Sequence, residues 1–257
     1  MRRQRPAWAW AVLVAASLVV ACAGDDDPSD ETAVEATITV FAAASLTDAF
    51  TELATDFEAD NPGVTVELNF AASSALREQI LAGAPADVYA AANTSNMDQV
   101  VDGGAVEETP QVFVSNALEI AVPAGNPAGV SGLADFEREE LLIGLCAEEV
   151  PCGQFGREAL AAAGVAPAPD TNEPDVRSLL TKVAEGELDA GIVYRTDVLA
   201  EDGVEGIVVP DDQNVVADYP IAALADADEP AGAAEFVDFV LGADGQDILT
   251  AYGFDGA

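Results

Sequence analysis

Residues 37–57 read TITVFAAASLTDAFTELATDF, and this stretch decides the fold class. Its first five residues are β-branched or aromatic, which predicts a buried strand. Leu46, Phe50 and Leu53 then recur at helical spacing and predict an amphipathic helix that ends at Asn61-Pro62-Gly63. A strand that passes into a helix through a short turn is the repeating unit of α/β proteins.

The same alternation continues along the rest of the chain. Further strands are predicted at residues 64–70, 88–91, 118–122, 141–146, 191–194, 206–209 and 219–224. Further helices are predicted at residues 75–82, directly after residues 151–153, and at residues 176–184, 233–241 and 246–252. Alternating strands and helices predict an α/β protein with a mostly parallel sheet.

The N-terminus has the features of a secreted lipoprotein. Three arginines precede an apolar run at residues 7–21, which ends in the lipobox-like sequence Val-Val-Ala-Cys at Cys22. We expect residues 1–21 to be a cleaved signal peptide and Cys22 to carry a lipid anchor to the membrane. The alternative is an ordinary signal peptide with a chance cysteine at this position. Residues 22–36 are acidic and lack apolar periodicity, so they are expected to form a flexible tether.

The charge of the chain excludes several classes of function. It has 47 acidic and 9 basic residues, no histidine, and a formal net charge of −38, which argues against nucleic acid as a partner. Ser45 and Ser73 lie at strand-to-helix turns, as a hydrolase nucleophile would, but a Ser-His-Asp triad is impossible without histidine. The single lysine, Lys182, is on the polar side of its predicted helix, which also disfavours a Ser-Lys dyad. We therefore expect a protein that is not an enzyme.

Three cysteines are present, and the lipobox uses one of them. In an oxidising compartment the remaining two, Cys146 and Cys152, are predicted to form a disulfide. Two buried free thiols are the alternative. So few cysteines, without histidine, disfavour a structural zinc site.

Four predicted strand-to-helix junctions are candidates for a binding site. They are residues 42–48, 71–74, 150–153 and 173–176, and none of them contains lysine or arginine. In α/β sheets such junctions present free backbone N–H groups, and neutral donors suit a small oxyanion. Taken singly, these residues have simpler explanations: Ser45 with Asp48 resembles a capping box, Ser73 or Ser74 could merely cap the next helix, and Tyr194 could be a half-buried packing residue. The prediction of a site depends on the junctions occurring together.

Motifs along the chain, some of them in these junctions, resemble those of periplasmic molybdate-binding proteins of ABC transporters. The resemblance covers about residues 37–254 and is carried, in order, by ITVFAAASLT at 38–47, FAASS at 70–74, GAPAD at 83–87, VPCG at 150–153, DVR at 175–177, GIVY at 191–194 and YGF at 252–254. It implies a two-lobed type II periplasmic-binding-protein fold with the ligand in the cleft. Lobe 1 would comprise residues 37–114 and 217–257, and lobe 2 residues 115–216.

The resemblance also implies a set of ligand-binding residues. Ser45 and Ser73 would donate hydrogen bonds from lobe 1, and the amides of Cys152 and Val176 with the Tyr194 hydroxyl would donate from lobe 2. Molybdenum would be bound only as molybdate, through these same residues. Cys152 stands where the family pattern has alanine, which puts the geometry of this loop in question.

The function that the resemblance implies is transport. The protein would capture molybdate, and also tungstate, outside the cytoplasm and deliver it to the membrane permease subunits of an ABC importer. It would work as a monomer, anchored to the membrane through Cys22 and without a cofactor. The alternatives are a binding protein for sulfate, thiosulfate or phosphate, and a surface lipoprotein without a transport role.

Overall fold

The computed structural model describes residues 36–166 and 168–256. The predicted signal peptide, the lipid anchor at Cys22 and nearly all of the predicted tether therefore lie outside the described residues. Ala36, the last residue of the predicted tether, instead begins the first strand. Within the described part of the chain, no helix is long and apolar enough to cross a membrane.

Strands and helices alternate through most of the described chain, as predicted. The strands are β1 Ala36–Ala43, β2 Val64–Ala71, β3 Val88–Ala90, β4 Gln111–Pro123, β5 Ile143–Cys146, β6 Thr171–Glu173, β7 Ala190–Tyr194, β8 Val204–Val208, β9 Val216–Ala223 and β10 Asp255–Gly256. The helices are α1 Thr47–Asp60, α2 Ser73–Leu81, α3 Thr94–Asp102, α4 Pro151–Ala162, α5 Val176–Ala184, α6 Arg195–Leu199, α7 Pro230–Leu241 and α8 Ala243–Ala251. The predicted α/β class is confirmed.

The strands form a mixed sheet in the order β2-β1-β3-β9-β4-β7-β5-β6. Strand β1 pairs in parallel with β2 and β3, and β5 pairs in parallel with β6 and β7. In the middle of the sheet, β9 is antiparallel to β3 and β4, and β4 is antiparallel to β7. The sequence predicts a mostly parallel sheet. The antiparallel pairings in the middle could not be predicted, because hydrophobic periodicity identifies strands without giving their direction.

Strand β4 links the two halves of the sheet. Residues 111–117 pair with β9, whereas residues 118–123 pair with β7 and β8. We call the half that contains β1, β2 and β3 lobe 1, and the half that contains β5, β6 and β7 lobe 2. The lobe boundaries given above from the sequence stay a prediction. Only residues 118–122 of β4 were predicted, because the preceding Ser115 and Asn116 interrupt its apolar pattern.

The sequence patterns did not predict helices α3 and α6, and each absence has a physical reason. Helix α3 buries only Met97 and Val100 among its apolar residues in a nine-residue helix, which is too few for a clear helical period. Its start is marked by Asn93, whose side chain accepts a hydrogen bond from the Asn96 amide at 3.1 Å. Helix α6 has five residues and is too short for periodicity to show.

Helix α1 is fixed to lobe 1 by aromatic packing. Phe50 and Phe57 are buried. Their ring centroids lie 6.2 and 5.2 Å from that of Phe236 in α7, in edge-to-face arrangements. This packing holds in place the short 3-10 helix Ala44–Leu46 that precedes α1. The segment carries Ser45, the first predicted ligand-binding residue.

Candidate binding site between the lobes

A small cavity lies where several helix N-termini converge. Its volume is about 10 Å³, far below the range of about 300–1,000 Å³ typical of pockets for drug-sized ligands. It is lined by Ala43, Ala44, Ser45, Ala72, Ser73, Ala92, Val150, Pro151, Cys152, Asp175, Val176 and Tyr194. The structure therefore brings all five residues named from the sequence around one small cavity.

Lobe 1 contributes two buried serine hydroxyls. The Ser45 Oγ lies 2.9 Å from the Tyr219 Oη. The Ser73 Oγ accepts a hydrogen bond from the Ala92 amide at 2.9 Å. Since the Ser73 oxygen already accepts, its own hydrogen is free to be donated into the cavity. Donation from Tyr219 to Ser45 frees the Ser45 hydrogen in the same way.

Neither serine acts as a helix cap. The N-cap residues of α1 and α2 are Leu46 and Ala72, and neither of these described helix starts has a side-chain cap. Asp48, which a capping box would pair with Ser45, instead binds Arg177. The capping explanation is therefore wrong for both serines.

Lobe 2 contributes backbone amides at two helix starts. Cys152 is the second residue of α4, and Val176 is the first residue of α5. Amides in the first turn of a helix have no carbonyl partner within that helix. Pro151 lacks an amide hydrogen, so Cys152 supplies the first available donor of α4. The partial positive charge of both helix starts favours an anion.

The Tyr194 hydroxyl is the clearest sign of a ligand. Tyr194 is 1% exposed, and its hydroxyl has no hydrogen-bond partner among the described residues. An unpaired buried hydroxyl costs about 1–3 kcal/mol, which a ligand in the cavity would offset. Burial raises the pKa of Tyr194 well above its ordinary value, and Tyr219 and Asp197 add to the rise. The group therefore stays protonated and can donate.

Among the described residues, the charged side chain that lines this cavity is a carboxylate rather than a cation. Within residues 36–166 and 168–256, no lysine or arginine lines it. Asp175 does, but its carboxylate caps α5 by accepting from the Ser178 amide at 2.8 Å. Behind Tyr194, the fully buried Asp197 accepts from the Tyr194 amide at 3.0 Å. Burial raises the pKa of Asp197 to about 6, and Arg177 opposes this rise. Dipoles and hydrogen bonds would therefore have to hold an anion.

A disulfide lies directly behind the α4 donor. The structure joins Cys146, at the end of β5, to Cys152, with their Cα atoms 5.8 Å apart. Arg157 also holds this turn, donating to the carbonyl oxygens of Cys146 at 2.8 Å and of Gly153 at 3.0 Å. Cys152 therefore supplies the backbone amide and also forms the disulfide that holds this amide in position.

The sequence did not reveal the groups that support these donors. Tyr219 lies inside β9 and has no local mark of a site. The Ala92 amide follows β3, a parallel strand, so the rule that identified the other junctions could have found it. Arg177 belongs to the DVR motif at 175–177, and none of the motifs quoted from the sequence contains Asp197.

Residues 38–255 match the protein family described as bacterial extracellular solute-binding protein. The chain belongs to this family. Among its relatives is the molybdate-binding protein ModA of Mycobacterium tuberculosis, 40% identical over 249 residues, which cover 94% of this chain and 95% of the relative. The named relatives of this solute-binding protein are binding proteins rather than enzymes.

Solved structures of other solute-binding proteins share the fold. The periplasmic molybdate-binding protein of Azotobacter vinelandii has a TM-score of 0.69 at 18% identity, over 84% of this chain and 98% of that one. The sulfate-binding protein SubI of Mycobacterium tuberculosis has a TM-score of 0.77 at 17% identity, over 86% of this chain and 87% of that one. At these identities the likeness concerns the fold, and the predicted periplasmic-binding-protein fold is confirmed.

Proposed function

We propose that this solute-binding protein captures molybdate outside the cytoplasm and delivers it to the permease subunits of an ABC importer. The observation that carries the proposal is the unpartnered Tyr194 hydroxyl, buried in a small cavity with four further neutral donors. The 40% identity to a molybdate-binding protein over nearly the whole chain supports this choice of ligand.

The donor set fits the chemistry of a tetrahedral dianion. Without a cation in contact, nearly every oxygen of the ion must accept a hydrogen bond. Hydrogen bonds to charged groups contribute about 1.5–3 kcal/mol each, so roughly five to seven of them could give tight binding after the ordering costs. Rigid donors also select by size, because the smaller sulfate would leave some of them unpaired. Tungstate is nearly as large as molybdate and should bind as well.

The proposal includes attachment to the membrane and action as a monomer. The lipobox-like sequence that ends at Cys22 supports a lipid anchor, which would keep the protein near its permease. The competing functions are capture of another oxyanion, such as sulfate, thiosulfate or phosphate, and a surface lipoprotein that does not transport.

Calorimetric titration and thermal melting test the proposal directly. Molybdate and tungstate should bind the purified protein, and sulfate and phosphate should bind much more weakly. A ligand that binds only the native state adds about 4 kcal/mol of stability at a concentration a thousand times its Kd, so saturating molybdate should raise the Tm. An unchanged Tm with both molybdate and tungstate would show that the proposed ligand is wrong.

Tyr194→Phe should weaken molybdate binding by about 1–3 kcal/mol, because it removes one donor and keeps the ring. The Tm of the ligand-free protein should not fall, since the lost hydroxyl has no partner among the described residues. Tyr252→Phe is the matched control: it removes a hydroxyl that binds Glu52 at 2.7 Å outside the cavity. If both variants bind molybdate like the parent, Tyr194 is only a packing residue.

The Cys146→Ser/Cys152→Ser double change should weaken molybdate binding more than it lowers the Tm. The disulfide closes a short loop, so its entropic contribution to stability should be near the low end, on the order of 2 kcal/mol. Its larger effect would be to hold the Cys152 amide in place before the ligand arrives. Mass spectrometry of alkylated, non-reduced protein provides the check. Two alkylated thiols in the native sample would contradict this role.

A further inference from the structure

One arginine crosses from lobe 2 to lobe 1 beside the cavity. Arg177 follows Val176 in α5, and its Nε donates to the carbonyl oxygen of Ala44 at 3.3 Å. Its Nη2 binds the carboxylate of Asp48 in α1. Ala44 and Val176 both line the cavity, and Ala44 directly precedes Ser45. The guanidinium therefore joins the segments that carry donors on opposite sides of the cavity.

The same guanidinium also contacts Asp197, which holds the backbone of a third donor residue, Tyr194. Its Nε lies 3.4 Å from the Oδ1 of Asp197. That oxygen has no hydrogen bond elsewhere in the described structure, while the other carboxylate oxygen accepts from the Tyr194 amide. Without Arg177, Asp197 would be a buried carboxylate with no counter-charge, directly behind a site proposed to bind a dianion.

The shape of the arginine side chain is essential to this arrangement. Its planar group has its donors in fixed directions, so Nη2 can bind Asp48 while Nε lies within reach of both the Ala44 carbonyl and the Asp197 carboxylate. Lysine has one compact charge on a flexible stem and could not hold three acceptors in this geometry. The Arg177 side chain is 27% exposed, so solvent only partly screens these contacts.

We propose that Arg177 is a positioning residue that holds the two lobes closed on the bound anion. It does not contact the ligand itself. It fixes the relative positions of Ser45, Val176 and Tyr194 through its contacts with Ala44, Asp48 and Asp197. This inference depends on the proposed function, because it assigns the arginine a role in binding the same oxyanion.

The test compares parent, Arg177→Met and Arg177→Lys proteins by calorimetry, thermal melting and small-angle scattering, with and without molybdate. Arg177→Met should raise the Kd for molybdate at least tenfold, about 1.4 kcal/mol. It should also reduce the compaction that molybdate causes, and it should lower the Tm of the ligand-bound protein more than that of the ligand-free protein. Arg177→Lys should bind as weakly as Arg177→Met.

Two further variants keep the result interpretable. Asp48→Asn weakens one contact between the lobes but keeps Arg177 beside Asp197, and it should raise the Kd severalfold even if Arg177→Met folds poorly. Arg138→Met removes a surface arginine that pairs with Glu140 at 2.9 Å, away from the cavity, and should bind like the parent.

Each contrary outcome has a definite meaning. If the parent does not bind molybdate, the proposed function and this inference both fail. If the parent binds and Arg177→Met binds equally well, only the inference fails. It also fails if lysine restores the parent Kd, or if the ligand-free and ligand-bound Tm values fall by the same amount, because the arginine would then act by charge alone or as a general structural residue.

Discussion

Replacing Gly153 by alanine should lower molybdate affinity at least a hundredfold, about 2.7 kcal/mol. A Cβ at this position would lie 1.9 Å from the carbonyl oxygen of Ala147 and 2.6 Å from that of Cys146. Both atoms belong to the backbone, so no side-chain rotation can relieve the overlap. The turn before α4 would have to move, and it would carry the neighbouring Cys152 amide away from the cavity. In enzymes, a shift of about 1 Å in a positioned group can lower the reaction rate about a hundredfold. We expect a comparable loss of affinity when a positioned hydrogen-bond donor moves.

Gly156→Ala provides a matched control in the same helix. Its Cβ would lie 3.5 Å from the side chain of Ile192, which is an ordinary contact. Because alanine is more favourable than glycine inside a helix by about 0.5–1 kcal/mol, this variant should bind normally and melt at the same temperature or higher. Calorimetry and thermal melting of both variants measure the contrast. A Gly153→Ala protein with the parent Kd would show that close packing at this turn does not set the position of the donor.

The sequence was most informative where structure is local. The turn around Ser45 follows a buried strand and precedes an amphipathic helix, and both patterns can be seen within about twenty residues. The starts of α4 and α5 are marked by Pro151 and Asp175 in the same way. The family resemblance then supplied what local patterns could not, namely that these turns belong to one site.

Contacts between distant parts of the chain were not predictable in this way. Ser45 and Tyr219 are 174 positions apart, and Ala44 and Arg177 are 133 apart. Their proximity depends on the order and direction of the strands, which periodicity does not encode. The same limit explains the antiparallel pairing of β4 and β9 at the centre of the sheet. The residues that support the donors were therefore found only in the structure.

The buried Asp197 should make the stability of the protein depend on pH. Its pKa rises from 3.8 to about 6, chiefly because burial disfavours the charged form. Charged or titratable groups that influence it are Arg177, Asp48, Asp175, Tyr194 and Tyr219. Between these pH values the folded protein keeps a proton that the unfolded chain has lost. The contribution of protonated Asp197 to the stability of the folded protein is therefore fully present below pH 3.8 and is lost as the pH rises through about 6.

Asp197→Asn should remove this pH dependence. Asparagine does not titrate, and its side-chain oxygen can still accept the Tyr194 amide. About two pKa units at roughly 1.4 kcal/mol each give a change on the order of 3 kcal/mol. Urea unfolding at pH 4 and at pH 7 gives the free energy of unfolding of the parent and of the variant. Subtracting one from the other largely cancels the contributions of the acidic residues that both proteins share. The parent should lose stability relative to the variant as the pH rises. A difference that is the same at both pH values would mean that Asp197 is already ionised throughout, with Arg177 rather than a proton compensating its charge.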